Sequence, residues 1–369
     1  MSEYKILTIN PGSTSTKIAI FEGNKEVLSK NIAHDASELG RYKEVIDQLP
    51  YRKQMIEDAI KESGIPFSEF SAVVGRGGGL MAVEGGVYAM NETLLDHARR
   101  GANGIQHPAQ LGPGLAKEFA DLAGCKAFVV NPPDTDELQP VARMTGIKGI
   151  YRNVHLHALN LKETAIQHSK NKGRKYEDCN YVVCHIGGGI SVSAHRKGRM
   201  IDGNDIVGGE GPMAPTRCGA VPALELIRYC FSGVTEKEAR ALCQKTGGFV
   251  SLLGTSDAIE VSTKAAAGEK VPKLVWETMI YQIIKEIGAM AAALGGDVDG
   301  ILLGGGMVHN KELVQKITEA CSFIAPVTAY PGEFEMEAMA AGATRVLNGE
   351  EQVKEYTGRP LWDKADFEE

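Results

Sequence analysis

The residues best suited to chemistry in this 369-residue chain sit in three glycine-bearing turns and beside two isolated arginines. The first turn, Asn10-Pro11-Gly12-Ser13-Thr14-Ser15-Thr16-Lys17, is rich in hydroxyls. Glycine lets the backbone approach an anion there, and N–H, hydroxyl and ammonium groups can all donate to phosphate oxygens. It is not a Walker loop, because the G-x-x-x-x-G-K-[ST] spacing is missing and no helical pattern follows. The second turn is His185-Ile186-Gly187-Gly188-Gly189 and the third is Leu303-Gly304-Gly305-Gly306, each closing an apolar, strand-like run. Taken singly, a hydroxyl-rich turn or a glycine triplet is ordinary turn chemistry. Together they point to nucleotide phosphate and adenosine contacts, since the C-terminal ends of strands in open α/β sheets are where nucleotides sit.

Arg76 lies between Gly75 and Gly77-Gly78-Gly79, directly after an apolar run, and Arg217 lies in the irregular segment Ala214-Pro215-Thr216-Arg217-Cys218-Gly219. A guanidinium grips a carboxylate or a transferring phosphoryl group through a planar fork and keeps its charge. Most arginines are solvated surface groups; glycine flanks after a buried strand set Arg76 apart. His107, His155 and His157 could serve as bases or ligands, yet no HExxH or Cys/His spacing supports zinc, and a structural histidine is the default. Asp134, Asp136 and Glu137 read as a loop and a helix start.

These groups need elements to position them. Alternating, β-branched runs at Tyr4–Asn10, Thr16–Glu22 and Lys25–Ile32, with Gly23-Asn24 as the second turn, predict a three-strand meander. The plan recurs at Asn180–His185, Ile190–Ala194 and Met200-Ile201, with Lys197-Gly198 as the turn. Thirteen residues separate Asn10 from Gly23 and His185 from Gly198, which a duplicated module explains. Helical periodicity covers Gln54–Ser63, Pro108–Ala123, Asn153–Ser169, Pro222–Phe231, a capping-box start at Thr235 with Glu238, Lys273–Leu294 and Lys311–Ala320. Single strands are expected at Ala72–Gly75, Ala127–Val130, Gly300–Leu303 and Pro326–Ala329. Two α/β halves follow. The expected domains are residues 1–140 with 336–369, and residues 141–335, joined by a hinge near 135–150, with a helix after Glu335 returning to the first half.

Composition narrows the class. A net charge of −7 without a basic stripe argues against nucleic acid, and the cluster Lys170–Lys175 reads as a solvated helix end. Seven cysteines without a CxxC pair fit reduced thiols in a cytoplasmic chain. No 18-residue apolar stretch and no signal-type opening occur, so neither a membrane nor export is expected.

Several blocks in order then carry a resemblance: TINPGSTSTKIAIF, VVGRGGGL, HPAQLGPGLA, PVARMTGI, HIGGGISVSAHRKGRMIDGND, GEGPMAPTRCGAVP, MIYQIIKEIGA, ILLGGGM and SFIAPVTAYPGEFEMEAMAAGA. Over nearly its whole length the chain resembles the acetokinase family of acetate and butyrate kinases, nearest to the butyrate kinase branch, within the actin-like sugar kinase and chaperone ATPase superfamily. The resemblance implies two duplicated actin-like, ribonuclease H-like α/β domains flanking a nucleotide cleft. It implies Mg²⁺-dependent phosphoryl transfer between ATP/ADP and a short-chain carboxylate or its acyl phosphate, as in short-chain fatty acid fermentation, by a homodimer or higher homo-oligomer.

Through that resemblance Asn10, Ser13, Ser15 and Lys17 fall at a first phosphate motif. His185, Gly187, Gly188 and Gly189 fall at a second, and Gly304, Gly305 and Gly306 at an adenosine motif. Arg76 and Arg217 match the arginines that grip the acyl phosphate, and His157 matches the histidine that hydrogen-bonds the transferring phosphoryl group. Glu335, with Glu333 and Glu337 close by, matches the acid that organises magnesium indirectly with Asn10. Three departures stand out. Asn131 replaces an aspartate that helps orient an active-site arginine, a role open to Asp134 or Asp136. Ile259 takes the place of an arginine near the adenine. Gly78 replaces a valine, which predicts room for a longer acyl tail and so butyrate, with isobutyrate, valerate and propionate also accepted. The rivals are an acetate or propionate kinase, a non-catalytic actin-like ATP switch, and a sugar kinase using an aspartate as base.

Overall fold

A computed structural model describes residues 4–367; residues 1–3 and 368–369, at the two ends of the first expected domain, lie outside the described residues. The chain divides into two compact units. One runs to Thr135 and resumes at Phe334, and the other is Asp136–Glu333.

In the first unit β1 (Lys5–Pro11), β2 (Ser15–Glu22) and β3 (Lys25–Ala33) form an antiparallel meander, as their alternation predicts. Strands β4 (Ala72–Gly75), β5 (Val87–Ala89) and β6 (Lys126–Val130) complete a six-stranded sheet in the order β3-β2-β1-β4-β6-β5. β1, β4 and β6 run parallel, so Pro11, Gly75 and Val130 end side by side. Ile56 and Ile60 of helix Leu49–Ser63 and Leu115 and Phe119 of helix Leu111–Ala123 pack with Leu7, Ile9 and Ile18 in one core cluster. Burying each such side chain is worth about 1.5–3 kcal/mol. The helix Glu335–Leu347 packs on β1, β4 and β6, and a Cβ at Gly342 would come within 2.5 Å of Val130 Cγ1.

The second unit repeats the plan. β7 (Asn180–Ile186), β8 (Ile190–Arg196) and β9 (Arg199–Gly203) form the meander, and β10 (Gly300–Gly305) and β11 (Val327–Pro331) extend it in the order β11-β10-β7-β8-β9. β7, β10 and β11 are again parallel. Read from the meander, both sheets run third, second and first strand and then two parallel strands, and β5 is the first unit's additional antiparallel edge. The duplication inferred from the spacing of Asn10, Gly23, His185 and Gly198 is therefore present in the topology. Trp276, Met279, Ile280, Ile283 and Ile287 of the long helix Lys270–Ala293 lie in the core against Val182, Cys184 and Val192.

Several expected elements differ. The helix expected over Asn153–Ser169 starts at Ala158, because the preceding N–H groups are taken elsewhere. Arg152 N–H donates to the Arg143 carbonyl, Val154 N–H to Asp136 Oδ2 and His157 N–H to Ser191 Oγ. The helix expected over Pro108–Ala123 opens with a tighter turn, Pro108–Gln110, capped by the His107 ring. β5 and the helices Glu92–Arg100, Gly248–Leu253 and Ala258–Ala266 were not expected from the sequence, although Asn91 and Asp257 cap two of these helices.

Candidate active site

In the first unit the parallel strand ends assemble three of the expected residues. Asn10 ends the apolar part of β1, opposite Lys17 in the register. Its Nδ2 donates to Glu335 Oε2 at 2.7 Å, across 325 positions of chain. Arg76 follows β4, with its N–H donating to the Ile9 carbonyl at 2.8 Å and its side chain only 8% exposed. The guanidinium lies 3.6 Å from Glu335 Oε1 through Nη2 and 3.5 Å from the Asn131 carbonyl through Nη1. Glu335 thus joins Asn10 and Arg76 through its two oxygens.

The glycines flanking Arg76 are demanded by packing. A Cβ at Gly77 would meet Pro132 and Val129 at 2.6 and 2.7 Å, and one at Gly112 would lie 1.9 Å from the Arg76 carbonyl. At Gly78 a Cβ would stand 3.1 Å from the Gln110 amide nitrogen and 3.2–3.3 Å from Ala109, so the Pro108–Gln110 turn occupies the space that a side chain there would take.

Asn131 also departs from expectation. It adopts a left-handed backbone (φ 38°) and exchanges hydrogen bonds with Gly86, its Oδ1 accepting at 2.7 Å and its N–H donating at 2.9 Å. It reaches Arg76 through its carbonyl, and the carboxylate beside Arg76 is Glu335. Asp136 is engaged elsewhere, buried and bidentate to Arg143 at 2.7 and 2.9 Å, while Asp134 accepts from Asn103. Ser13 and Lys17 are exposed on the first turn and Ser15 half-buried.

In the second unit His185 and Ser191 are register partners on β7 and β8. His157 precedes helix Ala158–Asn171; its Nδ1 shares a hydrogen bond of 2.8 Å with Ser191 Oγ, and its ring stacks on that of His185 with centroids 4.0 Å apart. Glu333 Oε1, in the same unit, stands 4.0 Å from His185 Nε2. The Gly187–Gly189 loop has a definite reason for its last glycine: a Cβ at Gly189 would fall 1.3 Å from Arg217 Nη1. Gly188 faces open space, and its carbonyl accepts from Thr216 Oγ1. Ala214 and Arg217 exchange backbone hydrogen bonds across a tight turn, seated on Gly247-Gly248, where a Cβ at Gly248 would lie 1.6 Å from the Ala214 carbonyl. Burial pushes the Arg217 pKa down from its ordinary value while Asp205 opposes the shift. Its Nε and Nη1 are buried and make no hydrogen bond among the described residues. Gly305 takes φ 101°, against Ile186, and Gly306 faces open space.

Among the described residues no three His, Cys, Asp or Glu side chains gather as a metal cage. A hydrated magnesium ion leans on one or two carboxylates and on substrate phosphates, and the Glu335 carboxylate held by Asn10 Nδ2 is a group of that kind. Among the described residues no helix is long and apolar enough to cross a membrane.

Residues 144–325 match the acetokinase family model. This acetokinase segment lies wholly within the second unit and includes His157, His185, Arg217 and the Gly304–Gly306 turn. The whole chain is similar in structure to acetate kinase from Porphyromonas gingivalis (TM-score 0.77, 19% identity, covering 93% of this chain and 100% of that one). It is similar also to acetate kinase from Entamoeba histolytica (0.73, 15%, 92% and 99%) and to a propionate kinase from Francisella tularensis subsp. tularensis (0.70, 17%, 92% and 98%). The fold is accordingly a mixed α/β fold of two actin-like domains. Ile259 of the acetokinase segment is 77% exposed in the first turn of its helix. Sequence reasoning missed Ser191, whose signal is its register opposite His185. It also missed Arg52, which shares the buried helix face of Ile56, Ala59 and Ile60.

Proposed function

We propose that the protein is a carboxylate kinase catalysing butanoate + ATP = butanoyl phosphate + ADP, reversibly. The observation that carries the chemistry is Arg217. A guanidinium with two buried, unpartnered nitrogens is costly to keep, and an anionic group accepting from them would offset that cost. Arg76, almost buried beside Glu335, is the matching cation of the first unit.

In this reading the carboxylate is already ionised and needs no general base, so the work is positioning and charge stabilisation of an in-line transfer. Arg76 and Arg217 neutralise the equatorial oxygens of the transferring group. His157, held by Ser191 through Nδ1 and stacked on His185, is assigned a hydrogen bond to the same group. Ser13, Ser15 and Lys17, with His185 and Gly187–Gly189, take the nucleotide phosphates, and Gly304–Gly306 the adenosine. Magnesium, bound with the nucleotide and organised through Asn10 and Glu335, would supply Lewis-acid charge neutralisation. A sugar kinase would need an aspartate free to act as base, and Asp136 is held bidentate by Arg143.

The choice of butanoate over acetate or propionate rests on the sequence blocks alone, because Gly78 is close-packed. The test is hydroxamate trapping of acyl phosphate with ATP, Mg²⁺ and acids from acetate to hexanoate, in wild type, Arg76→Ala and Arg217→Ala. Each arginine variant is expected to lose about 10²–10³-fold in kcat/KM. A kcat/KM maximum at butanoate supports the acid; a maximum at acetate replaces it and leaves the chemistry standing. No product with any acid overturns the reading.

A further inference from the structure

Behind the first turn lies a cation the reaction does not use. Arg52, on helix Leu49–Ser63, is 0% exposed and has no carboxylate partner among the described residues. Its Nε and Nη2 donate to Gln48 Oε1 at 3.1 and 2.9 Å, and its Nη1 donates to Thr16 Oγ1 at 2.9 Å and to the Ser15 carbonyl at 3.3 Å. All its acceptors are neutral. A full charge is therefore kept out of water without a counter-charge, an expensive arrangement in a protein interior.

The turn in front of it is arranged for an anion. The Ser15 carbonyl accepts from Gly12 N–H as well as from Arg52, and the Thr14 carbonyl accepts from His34 N–H. The N–H groups of Ser13 and Thr14 donate to no protein acceptor among the described residues. Carbonyls are thus spent on protein donors while amides remain available, the polarity of an anion-binding loop. Thr16 Oγ1 also shares a 2.8 Å hydrogen bond with His34 Nε2. The His34 pKa is pushed down to about 4 by burial and by the Arg52 charge, so Arg52 is the only cation of this pair at neutral pH.

We propose that Arg52 is a positioning residue for nucleotide binding, a buried cation that holds Ser15 and Thr16 and supplies the charge against which the Asn10–Lys17 turn takes a nucleotide polyphosphate. Arg52 touches no substrate in this role; it acts through Ser15 and Thr16 and through its field. The inference rests on the proposed ATP-dependent reading and adds a residue outside the phosphate motifs.

The test measures binding of ATP, ADP and adenosine by calorimetry, with thermal melts, for wild type, Arg52→Gln and Arg52→Lys. Arg52→Gln is expected to weaken ATP and ADP by about tenfold while leaving adenosine within about twofold, because an interior charge acts on the charged phosphates only. Arg52→Lys, which keeps the charge and loses the fork, should stay within about threefold of wild type for ATP. Equal losses for ATP and adenosine, or equal losses in both variants, would make Arg52 a brace alone and overturn the inference. Should Arg52→Gln fail to fold, the ATP and adenosine affinities of Arg52→Lys decide it: a selective loss of ATP well beyond threefold counts against the field. Wild type that binds no nucleotide would overturn the proposed function as well, whereas wild type that binds ATP beside a silent Arg52→Gln overturns the inference only.

Discussion

Arg217 depends on an absence of side chain at Gly189, since its Nη1 occupies the place of a Cβ. The guanidinium end of an arginine can swing aside at little cost in folding, but in doing so it leaves the position from which it would meet a phosphoryl group. Gly189→Ala is therefore expected to melt within a few degrees of wild type while losing about 10²-fold in acyl phosphate formation. Hydroxamate trapping and a thermal melt on the same preparation check it, and full activity would remove the assigned role of Arg217. Glu335 is a second residue whose position separates it from its neighbours: Glu333 belongs to the His185 side of the second unit, and Glu335 meets Asn10 and Arg76.

At the scale of elements, strand β4 and helix Leu111–Ala123 cross so closely that Gly75 and Gly112 face each other. A Cβ at Gly75 would lie 2.1 Å from the Gly112 carbonyl, and one at Gly112 would lie 1.9 Å from that of Arg76. Both obstacles are backbone, which cannot rotate away as a side chain does. Gly112→Ala should destabilise the protein by about 1–3 kcal/mol or more, read as a lower urea midpoint. Gly146→Ala, where a Cβ meets nothing within 4 Å, is the control and should stay within about 0.5 kcal/mol. An unchanged midpoint for Gly112→Ala would mean that the crossing relaxes and that the Arg76 backbone is not pinned by it.

For the molecule as a whole, several histidines are buried in their neutral form. Burial first, and then a nearby cation, lowers the pKa of His34 from 6.5 to about 4 and that of His195 well below 6.5; the cations are Arg52 and Lys162. His168 is lowered by burial and by Lys172. The unfolded chain takes up these protons near pH 6.5 and the folded chain only at lower pH, so stability falls as pH drops from about 6.5 toward about 4 and is flat above 6.5 on this account. Urea midpoints between pH 7.5 and pH 4.5 measure the slope. His34→Gln, which keeps a partner for Thr16, should make it shallower; an identical slope would remove His34 from the acid response.

How much of this was legible differs by range. Period-two alternation and paired glycine turns are local signals, so both meanders, their 13-residue spacing and the duplication could be read from the sequence, as could the glycine-flanked Arg76. The short edge strand β5 and the turn before Ala158 could not, because their N–H groups find partners through tertiary contacts and not through a repeating pattern. A glycine in the sequence states that a Cβ is missing and says nothing of what stands in its place. At Gly78 the occupant is the Ala109-Gln110 backbone, and at Gly189 it is the Arg217 guanidinium. The sequence by itself determined the strands of both meanders, their turns and the arginines that could hold an anion. Only the tertiary structure decided that Glu335 meets Arg76, that Ser191 orients His157 and that Arg52 lies behind Ser15 and Thr16, since each pairing joins residues too far apart in the chain for any local pattern to encode.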